Sequence, residues 1–370
     1  MFEGRIARFN APGEPFEIRR VCIESVGAGE ILIKVHRSNI CGSDLHAWHG
    51  AFATRGLGGA MPTVLGHEMV GSIAAFGDGD ELREDSNGEP LAVGSRVVFP
   101  YFFPCHHCRN CLAGRRVSCL KMGMAMLGDA SKPPYFVGGY GDYFLLPAGA
   151  VLYKVPDNLS DELASGVNCA LSQVMYGLER VELSLGENVV IQGAGGLGLF
   201  AAAVAKARGA KMVIVLDSVP ERLELAKSFG ADETVSLSEQ PEVSSRVRLV
   251  REMTDGLGAE VVVEVVGDPS VVPEGLKMLA QGGRYLEIGN INMGRTYEAD
   301  PSRLVMANKT IVGVSLYEPH LLSNAISFLT SHQHSLPMDR LVATSFPLEE
   351  INTAFEMADR RSIVRASIVV

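Results

Sequence analysis

The sequence predicts an α/β protein in which a β-rich first part precedes a doubly wound parallel sheet. Up to about Pro156, glycines and prolines separate short apolar runs such as Ile31–Val35, a pattern typical of short strands and turns. From about residue 186, near-continuous apolar runs alternate with helix-like segments, which indicates parallel strands buried on both faces. The tail from about Tyr317 returns to mixed structure, and we expect it to fold back on the first part.

The predicted strands of the second part are Val189–Ile191, Met212–Leu216, Glu260–Val266, Arg284–Ile288 and Thr310–Val314. Helices are predicted over Leu197–Arg208 and Pro220–Phe229. In the first part, the acidic segment from Asp78 to Pro90 is predicted to be a solvated surface loop.

Length and charge limit the possible functions. A chain of 370 residues is long enough for two domains. The formal net charge of -10 argues against general binding of nucleic acids or anionic membranes, both of which favour a basic surface. The first residues contain no secretion signal, and no apolar run is long enough to span a bilayer. We therefore expect a cytoplasmic protein without a membrane or nucleic-acid partner.

Four of the seven cysteines are clustered, and their spacing predicts a structural zinc site formed by Cys105, Cys108, Cys111 and Cys119. Four thiolates fill a tetrahedral coordination sphere and leave no position for a substrate. Disulfides of a secreted protein are the alternative, but the tight spacing and the missing leader oppose it. A nucleic-acid-binding zinc ribbon is a further alternative. Local basic residues favour this alternative. Cations are, however, expected beside four thiolates in any case, because they offset the negative charge of the site.

A glycine-rich turn follows the first strand of the second part and opens a helix, and it predicts a dinucleotide site at Gly193, Gly195, Gly196, Leu197 and Gly198. The glycines let the backbone approach a pyrophosphate, which the helix N-terminus attracts. Asp217 ends the next strand, where a carboxylate accepts both ribose hydroxyls of NAD and repels the 2′-phosphate of NADP. Arg222 is close enough to neutralise Asp217 or to stack near the adenine.

Cys41 and His67 are candidate ligands of a second zinc ion, and Cys169 is a plausible third. Three protein ligands leave a fourth position open, as a catalytic zinc requires. A buried structural thiol is the alternative for Cys169, because the residue lies in an apolar stretch.

These motifs, in this order, resemble the zinc-containing medium-chain alcohol dehydrogenases over nearly the whole chain. The resemblance rests on Cys41–His46, on Gly66–Glu68, on the four-cysteine segment, and on the glycine turn with its aspartate. It implies a GroES-like catalytic domain over residues 1–165 with a zinc lobe at about 100–122. It further implies a Rossmann coenzyme domain over 166–313 and a return to the catalytic domain over 314–370.

The resemblance also implies roles for single residues. Cys41, His67 and Cys169 would hold the catalytic zinc, Asp44 would orient a ligand, and Glu68 would lie behind the metal. Ser43 would accept the alcohol proton and pass it through the NAD ribose to His46. Arg365 is a candidate contact of the coenzyme pyrophosphate, with a salt-bridge role as the alternative.

The predicted activity is reversible oxidation of an alcohol by NAD, with two zinc ions per subunit in a homodimer or homotetramer. Bulky residues near the zinc mouth, Trp48, Phe52 and Tyr101, favour a secondary alcohol that is hydrophobic or cyclic, although such residues commonly serve the core. The main alternative is a polyol, sugar or amino-alcohol dehydrogenase of the same superfamily. A non-catalytic binding protein is disfavoured by the complete ligand set.

Overall fold

The computed structural model describes residues 1–51, 60–78, 84–291, 294–341, 344–360, 362–363 and 365–370. The chain divides into two compact units, the first formed by Met1–Cys169 with Glu318–Val370 and the second by Ala170–Tyr317. The boundaries predicted from the sequence lie after residues 165 and 313. The first boundary falls inside a turn of π-helix, Val167–Leu171, so that Cys169 belongs to the first unit.

The N-terminal part of the first unit is rich in short strands. They are β1 (Phe2–Phe9), β2 (Glu17–Ile23), β3 (Ile31–Asn39), β4 (Thr63–Val64), β5 (Glu68–Phe76), β6 (Arg96–Val98), β7 (Phe102–Phe103), β8 (Gly123–Met124), β9 (Tyr143–Leu146) and β10 (Tyr153–Lys154). The helices are α1 (Gly42–Trp48), α2 (Arg109–Leu112), α3 (Asp161–Ala164) and a 3-10 turn at Arg116–Ser118. The β-rich prediction for this part of the chain is confirmed.

The second unit is a parallel sheet with helices between its strands. The strands are β11 (Asn188–Gln192), β12 (Met212–Asp217), β13 (Glu233–Ser236), β14 (Ala259–Glu264), β15 (Leu279–Glu287) and β16 (Thr310–Gly313). The helices are α4 (Ser172–Arg180), α5 (Gly196–Ala207), α6 (Pro220–Ser228), α7 (Val243–Met253), α8 (Val272–Met278) and α9 (Pro301–Met306). The strand order is β13-β12-β11-β14-β15-β16, with every neighbouring pair parallel, which confirms the doubly wound sheet.

The C-terminal segment returns to the first unit and completes its sheet. It forms α10 (Leu321–His332), β17 (Thr344–Pro347), α11 (Ile351–Asp359) and β18 (Ala366–Val369). β18 pairs antiparallel with β3, so that the sheet runs in the order β10-β6-β5-β3-β18-β17, with β9 also paired to β3. Within the described ranges, no helix is long and apolar enough to cross a membrane.

The pairing of β3 with β5 determines where the polar residues of the first unit meet. The two strands are antiparallel, and Asn39 at the end of β3 lies opposite Glu68 at the start of β5. The residues that follow β3 and those that precede β5 therefore lie at the same edge of the sheet. Cys41 and His67 reach this edge from two different strands.

The acidic segment after β5 is not wholly solvated, as the sequence analysis expected it to be. The Asp85 carboxylate is buried and accepts hydrogen bonds from the backbone N–H groups of Asn87, Glu89 and Lys154, at 2.7, 2.9 and 2.8 Å. Residues 79–83 lie outside the described part of the chain. The prediction of a solvated loop is wrong at Asp85, because its carboxylate fixes this turn against β10.

Candidate active site and metal centres

Three candidate metal ligands meet at the edge formed by β3 and β5. Cys41 directly precedes α1, His67 directly precedes β5, and Cys169 lies in the π-helical turn. Their ligand atoms and a carboxylate oxygen of Glu68 all lie within 4.8 Å of one another. Two thiolates and an imidazole form a donor set that zinc prefers. The Glu68 carboxylate, the fourth member of the group, is engaged by Arg365. The donor chemistry at this edge therefore fits a zinc ion.

Asp44 ties together the two loops that carry Cys41 and His67. Its carboxylate is fully buried and accepts hydrogen bonds from the backbone N–H groups of Cys41 at 2.9 Å and Gly66 at 3.1 Å. The same carboxylate lies 3.5 Å from Nδ1 of His67. The other ring nitrogen, Nε2, lies 3.4 Å from the Ser43 hydroxyl. A carboxylate on Nδ1 fixes the ring orientation and directs Nε2 toward a metal.

The proton distribution in this cluster reflects burial and close charges. Burial lowers the pKa of His67, but the Asp44 carboxylate and the Cys41 thiolate outweigh it and raise that pKa to about 10. A hydrogen bond with Cys169 holds the pKa of Cys41 well below its ordinary value, while that contact and burial raise the pKa of Cys169. These shifts favour the thiolate at Cys41, the thiol at Cys169 and the protonated ring at His67. A divalent cation that bound there would displace their protons.

Glu68, next in sequence to His67, forms an ion pair with Arg365. Both side chains are buried, and Arg365 immediately precedes β18. The structure thus contains the salt bridge that was the alternative assignment for Arg365. A pyrophosphate contact by this guanidinium stays a prediction.

Ser43 and His46 lie about one turn apart on α1, and both are partly buried. Residues three positions apart on a helix are neighbours on one face. Burial lowers the pKa of His46, the Cys41 thiolate opposes this effect, and His49 adds to it. A neutral imidazole is able to accept a proton near neutral pH.

Asn168, which was not among the residues predicted from the sequence, braces the segment that carries Cys169. Its buried side-chain amide donates to the backbone carbonyls of His67 at 3.0 Å, Phe99 at 3.1 Å and Met69 at 3.4 Å. A polar residue inside an apolar stretch is the signal that could have identified it, because buried amides require partners.

Gly66 allows the loop before His67 to pass a buried ring. Its φ of +88° is rare for residues with a side chain, and a Cβ at this position would lie 2.8 Å from the ring of Tyr140. The Tyr140 hydroxyl donates to the Asn39 carbonyl at 3.2 Å. A glycine is therefore needed in front of the candidate ligand.

The residues predicted to line the substrate pocket have different surroundings. The ring of Tyr101 is buried, with its centroid 4.7 Å from that of His67, and its hydroxyl forms a hydrogen bond with Cys169. Trp48 packs edge-on against Phe355, 5.9 Å between ring centroids, on the hydrophobic core of the first unit. Phe52 lies outside the described residues. Tyr101 thus contacts two candidate zinc ligands, whereas Trp48 packs at least one face of its ring against the hydrophobic core.

The four clustered cysteines converge as a second candidate metal centre, formed by Cys105, Cys108, Cys111 and Cys119, whose sulfur atoms all lie within 4.8 Å of one another. Cys108 lies 3.5 Å from Cys111 and 4.0 Å from Cys119, sulfur to sulfur. Tetrahedral zinc with four sulfurs at about 2.3 Å separates them by about 3.8 Å. Backbone N–H groups of Cys111 and Leu120 lower the pKa of Cys108 to about 6. These four residues fit a structural zinc.

Glu318 anchors this four-cysteine lobe to the start of the C-terminal segment. Its buried carboxylate accepts from the backbone N–H groups of Arg116 at 2.9 Å and Val117 at 3.3 Å. Cys119 follows the 3-10 turn that these two residues open. Glu318 could not be identified from the sequence, because it and its hydrogen-bond partners are about two hundred positions apart.

In the second unit, the glycine turn follows β11 and opens α5. Gly193 has a φ of +105°, and a Cβ on Gly198 would lie 1.9 Å from the Gly193 carbonyl oxygen. Only glycine fits either position, because a side chain would separate the helix from the strand. Gly195, Gly196 and Leu197 are partly exposed at the start of the helix. The turn therefore leaves backbone N–H groups accessible to a phosphate.

Asp217 ends β12, and its carboxylate contacts the glycine turn. One oxygen accepts from the Ala194 N–H at 2.7 Å and the other from the Val219 N–H at 2.9 Å. Arg222 lies on α6 and is partly exposed. A carboxylate at this strand end fits the ribose hydroxyls of a dinucleotide bound to the turn.

Comparison with known proteins extends over both units. The alcohol dehydrogenase GroES-like domain model matches residues 27–157, and the zinc-binding dehydrogenase model matches residues 196–331. The 5-exo-hydroxycamphor dehydrogenase of Pseudomonas putida is 33% identical over 344 residues, covering 92% of this chain and 91% of that protein. The erythritol/L-threitol dehydrogenase of Mycolicibacterium smegmatis is 30% identical over 364 residues, covering 96% and 94%. The crystal structure of an alcohol dehydrogenase from Thermotoga maritima superimposes with a TM-score of 0.92 at 26% identity, covering 100% of both chains.

The similarity is not confined to the nucleotide-binding half that many unrelated enzymes share. It includes the GroES-like half with its candidate zinc ligands, and the predicted fold is confirmed in both halves. An oxidoreductase acting on alcohols is therefore confirmed as the class of protein, and the chain belongs to the zinc-binding alcohol and polyol dehydrogenases of the medium-chain dehydrogenase/reductase family.

Proposed function

We propose that this chain is an NAD-dependent, zinc-dependent dehydrogenase that oxidises a secondary alcohol, hydrophobic or cyclic, to a ketone in a reversible reaction. The observation that carries the proposal is the convergence of Cys41, His67 and Cys169. Glu68, the fourth member of the group, is paired with Arg365, so that the fourth coordination position would be left for an alcohol oxygen. A structural metal has no need of an open position, which opposes a non-catalytic role.

The catalytic zinc would be held by the two thiolates and by Nε2 of His67. Bound there, zinc supplies a Lewis acid that lowers the pKa of an alcohol. The Asp44 carboxylate stabilises the ring orientation through Nδ1, and Asn168 holds the Cys169 segment in place. Glu68 and Arg365 keep a neutralised pair of charges beside the ligands, which limits the net charge of the buried site.

Proton removal is assigned to α1. The Ser43 hydroxyl, 3.4 Å from Nε2 of His67, is adjacent to the open position and accepts the alcohol proton. His46, one turn later and partly exposed, delivers the proton to solvent. Removal of this proton prepares the alcohol carbon to give up hydride, which is the chemistry of the coenzyme.

NAD is favoured over NADP by Asp217. Its carboxylate would accept the two ribose hydroxyls and repel a 2′-phosphate, while the glycine turn and the start of α5 bind the pyrophosphate. Arg222 and Arg365 are the candidate cationic contacts of the coenzyme. Arg222 is partly exposed beside this site, whereas the Arg365 guanidinium contacts Glu68.

The substrate assignment rests on Tyr101 and on the relatives. The buried aromatic ring beside His67 favours an apolar substrate, and a hydroxycamphor dehydrogenase is among the relatives. A polyol or amino alcohol is the second candidate, because an erythritol/L-threitol dehydrogenase and an L-threonine 3-dehydrogenase are relatives at 30% identity each. A homodimer or homotetramer, a second zinc in the four-cysteine lobe, and a cytoplasmic location stay predictions.

The test is formation of NADH with a panel of secondary, cyclic, polyol and amino alcohols, together with zinc analysis. We expect activity with NAD, much weaker activity with NADP, and loss of activity after removal of zinc with restoration on its return. The absence of NADH formation with every alcohol would contradict the proposal.

A further inference from the structure

A buried carboxylate at the end of β14 organises the loop that follows it. Glu264 is fully buried. One of its carboxylate oxygens accepts hydrogen bonds from the backbone N–H groups of Val266 at 2.6 Å and Gly267 at 2.7 Å. The carboxylate therefore fixes the turn that leaves the strand.

The other oxygen of Glu264 reaches the loop after β15. It accepts from the Gly289 N–H at 3.1 Å and from the side-chain amide nitrogen of Asn290 at 3.1 Å. The same amide nitrogen donates to Glu287 at 2.8 Å. Because the carboxyl groups of Glu264 and Glu287 both face this end of the amide, the hydrogen-bond network assigns the NH₂ group to their side and the oxygen to the other side.

The carbonyl oxygen of Asn290 consequently has no internal donor. Oδ1 is covered from solvent and makes no hydrogen bond with any described residue, although Asn290 as a whole is only partly buried. A covered acceptor without a partner is unfavourable. Such an atom calls for a donor that the described residues do not supply, which a water molecule or a ligand would provide.

The position of Asn290 identifies which ligand this would be. It follows β15 at the carboxyl edge of the parallel sheet, where dinucleotides bind. The loop held by Glu264 also reaches the glycine turn, since a Cβ on Gly193 would lie 3.1 Å from Val266. Asp217 at the end of β12 serves the adenosine half of a dinucleotide. The half of the sheet formed by β14, β15 and β16 is left for the nicotinamide half.

We propose that Oδ1 of Asn290 accepts a hydrogen bond from the carboxamide NH₂ of the nicotinamide coenzyme, and that Glu264 and Glu287 hold the amide in the orientation this requires. The inference rests on the proposed use of NAD. Asn290 is the residue that contacts the coenzyme, and the two glutamates are positioning residues.

The chain offers a matched control at the opposite edge of the same sheet. The amide nitrogen of Asn188, the first residue of β11, donates to Glu260 at 3.1 Å, and its Oδ1 is likewise covered and without a hydrogen bond to any described residue. This asparagine has the same local arrangement but lies at the amino ends of the strands, where no dinucleotide is expected.

The test compares NADH with reduced 3-acetylpyridine adenine dinucleotide, which keeps the ring carbonyl but has a methyl group in place of NH₂. Dissociation constants of both are measured by fluorescence or calorimetry for the wild type, Asn290→Ala and Asn188→Ala. For each variant, the quantity compared is the ratio of its dissociation constants for the two coenzymes. A partial loss of folding weakens both coenzymes equally and therefore cancels from this ratio.

We expect Asn290→Ala to weaken NADH about tenfold, the loss of one hydrogen bond, and to change the analogue less than about twofold. Asn188→Ala should leave the ratio at the wild-type value. Glu264→Gln should reduce the preference for NADH by a smaller factor. Equal weakening of both coenzymes by Asn290→Ala, or no weakening, overturns the inference while the proposed function stands. A wild type that binds neither coenzyme overturns both.

Discussion

The guanidinium of Arg365 and the carboxylate of Glu68 form a buried ion pair beside the candidate zinc ligands of the first unit. The two residues are almost three hundred positions apart and meet because β18 pairs with β3, which in turn pairs with β5. A buried charge is tolerated only with a partner, since desolvation of an isolated ion is costly.

We predict that Glu68→Gln destabilises the first unit by about 3–5 kcal/mol, because it leaves the Arg365 guanidinium buried without a counter-charge. The double variant Glu68→Gln/Arg365→Met should recover much of this loss. The measurement is urea unfolding followed by the fluorescence of Trp48, the single tryptophan, which lies in the first unit. If the double variant loses as much free energy of unfolding as Glu68→Gln and Arg365→Met lose together, the pairing would be contradicted.

The proton-transfer assignment makes a second prediction, for Ser43→Ala. Turnover should fall about 10²- to 10⁴-fold, the range for loss of a general acid–base step. Zinc content and NADH affinity should stay near the wild-type values, because the hydroxyl is not a zinc ligand and would give the coenzyme no more than one hydrogen bond through the ribose. Ser86→Ala is the control, since Ser86 is exposed on the acidic segment. Turnover equal to that of the control would exclude the proton-transfer role.

A third prediction separates the two candidate metal centres. In Cys119→Ser, zinc should fall from two ions to one per chain and the thermal midpoint should drop, because a structural zinc contributes directly to folding. Cys119 also accepts the Cys105 N–H at 3.2 Å and the Lys121 N–H at 3.3 Å, which a serine oxygen would satisfy only in part. Cys22→Ser is the matched control, since that thiol is exposed and lies apart from both clusters. An unchanged zinc content in Cys119→Ser would refute the four-thiolate site.

The patterns that could be predicted from the sequence are local ones. The glycine turn is contained in six residues, and its requirement for glycine comes from the contact between Gly198 and Gly193 inside the turn. The four lobe cysteines span fifteen positions, and their spacing alone predicts convergence. The apolar strands of the second unit are near-continuous because both faces are covered, so that a parallel sheet could be predicted from them.

The contacts that could not be predicted join distant segments. Asn168 binds the carbonyl of His67 across 101 positions, and Arg365 reaches Glu68 only through the pairing of three strands. The end of β14 was predicted two residues too late, at Val266. The strand ends at Glu264 because its carboxylate accepts the N–H groups of Val266 and Gly267, which therefore do not pair with a neighbouring strand. An apolar run in the sequence does not reveal such competition.

The fourth prediction concerns the pH dependence of stability in the second unit. Burial, together with Glu287, raises the pKa of Glu264 from 4.5 to about 8. Between these two values the folded state holds one proton that the unfolded state has released. The free energy of unfolding should therefore fall by about 1.4 kcal/mol per pH unit as the pH rises, and this contribution should be lost above pH 8. Tyr285 is another ionisable group that interacts with Glu264. It is buried, and its pKa is raised further above its ordinary value, so that it does not titrate between pH 5 and 9.

Glu264→Gln provides the comparison, because it keeps the shape of the side chain and replaces the titrating proton by a permanent NH₂ donor. Amide hydrogen exchange of β14 and β15 reports opening of the second unit and is measured for both proteins at several values between pH 5 and 9. We expect the stability of the wild type relative to the variant to decline from pH 5 to pH 8 and then to level off. A difference that is constant across this range would show that Glu264 is ionised throughout. The Asn290 amide would then donate to two ionised carboxylates, and not to a Glu264–Glu287 pair that shares one proton.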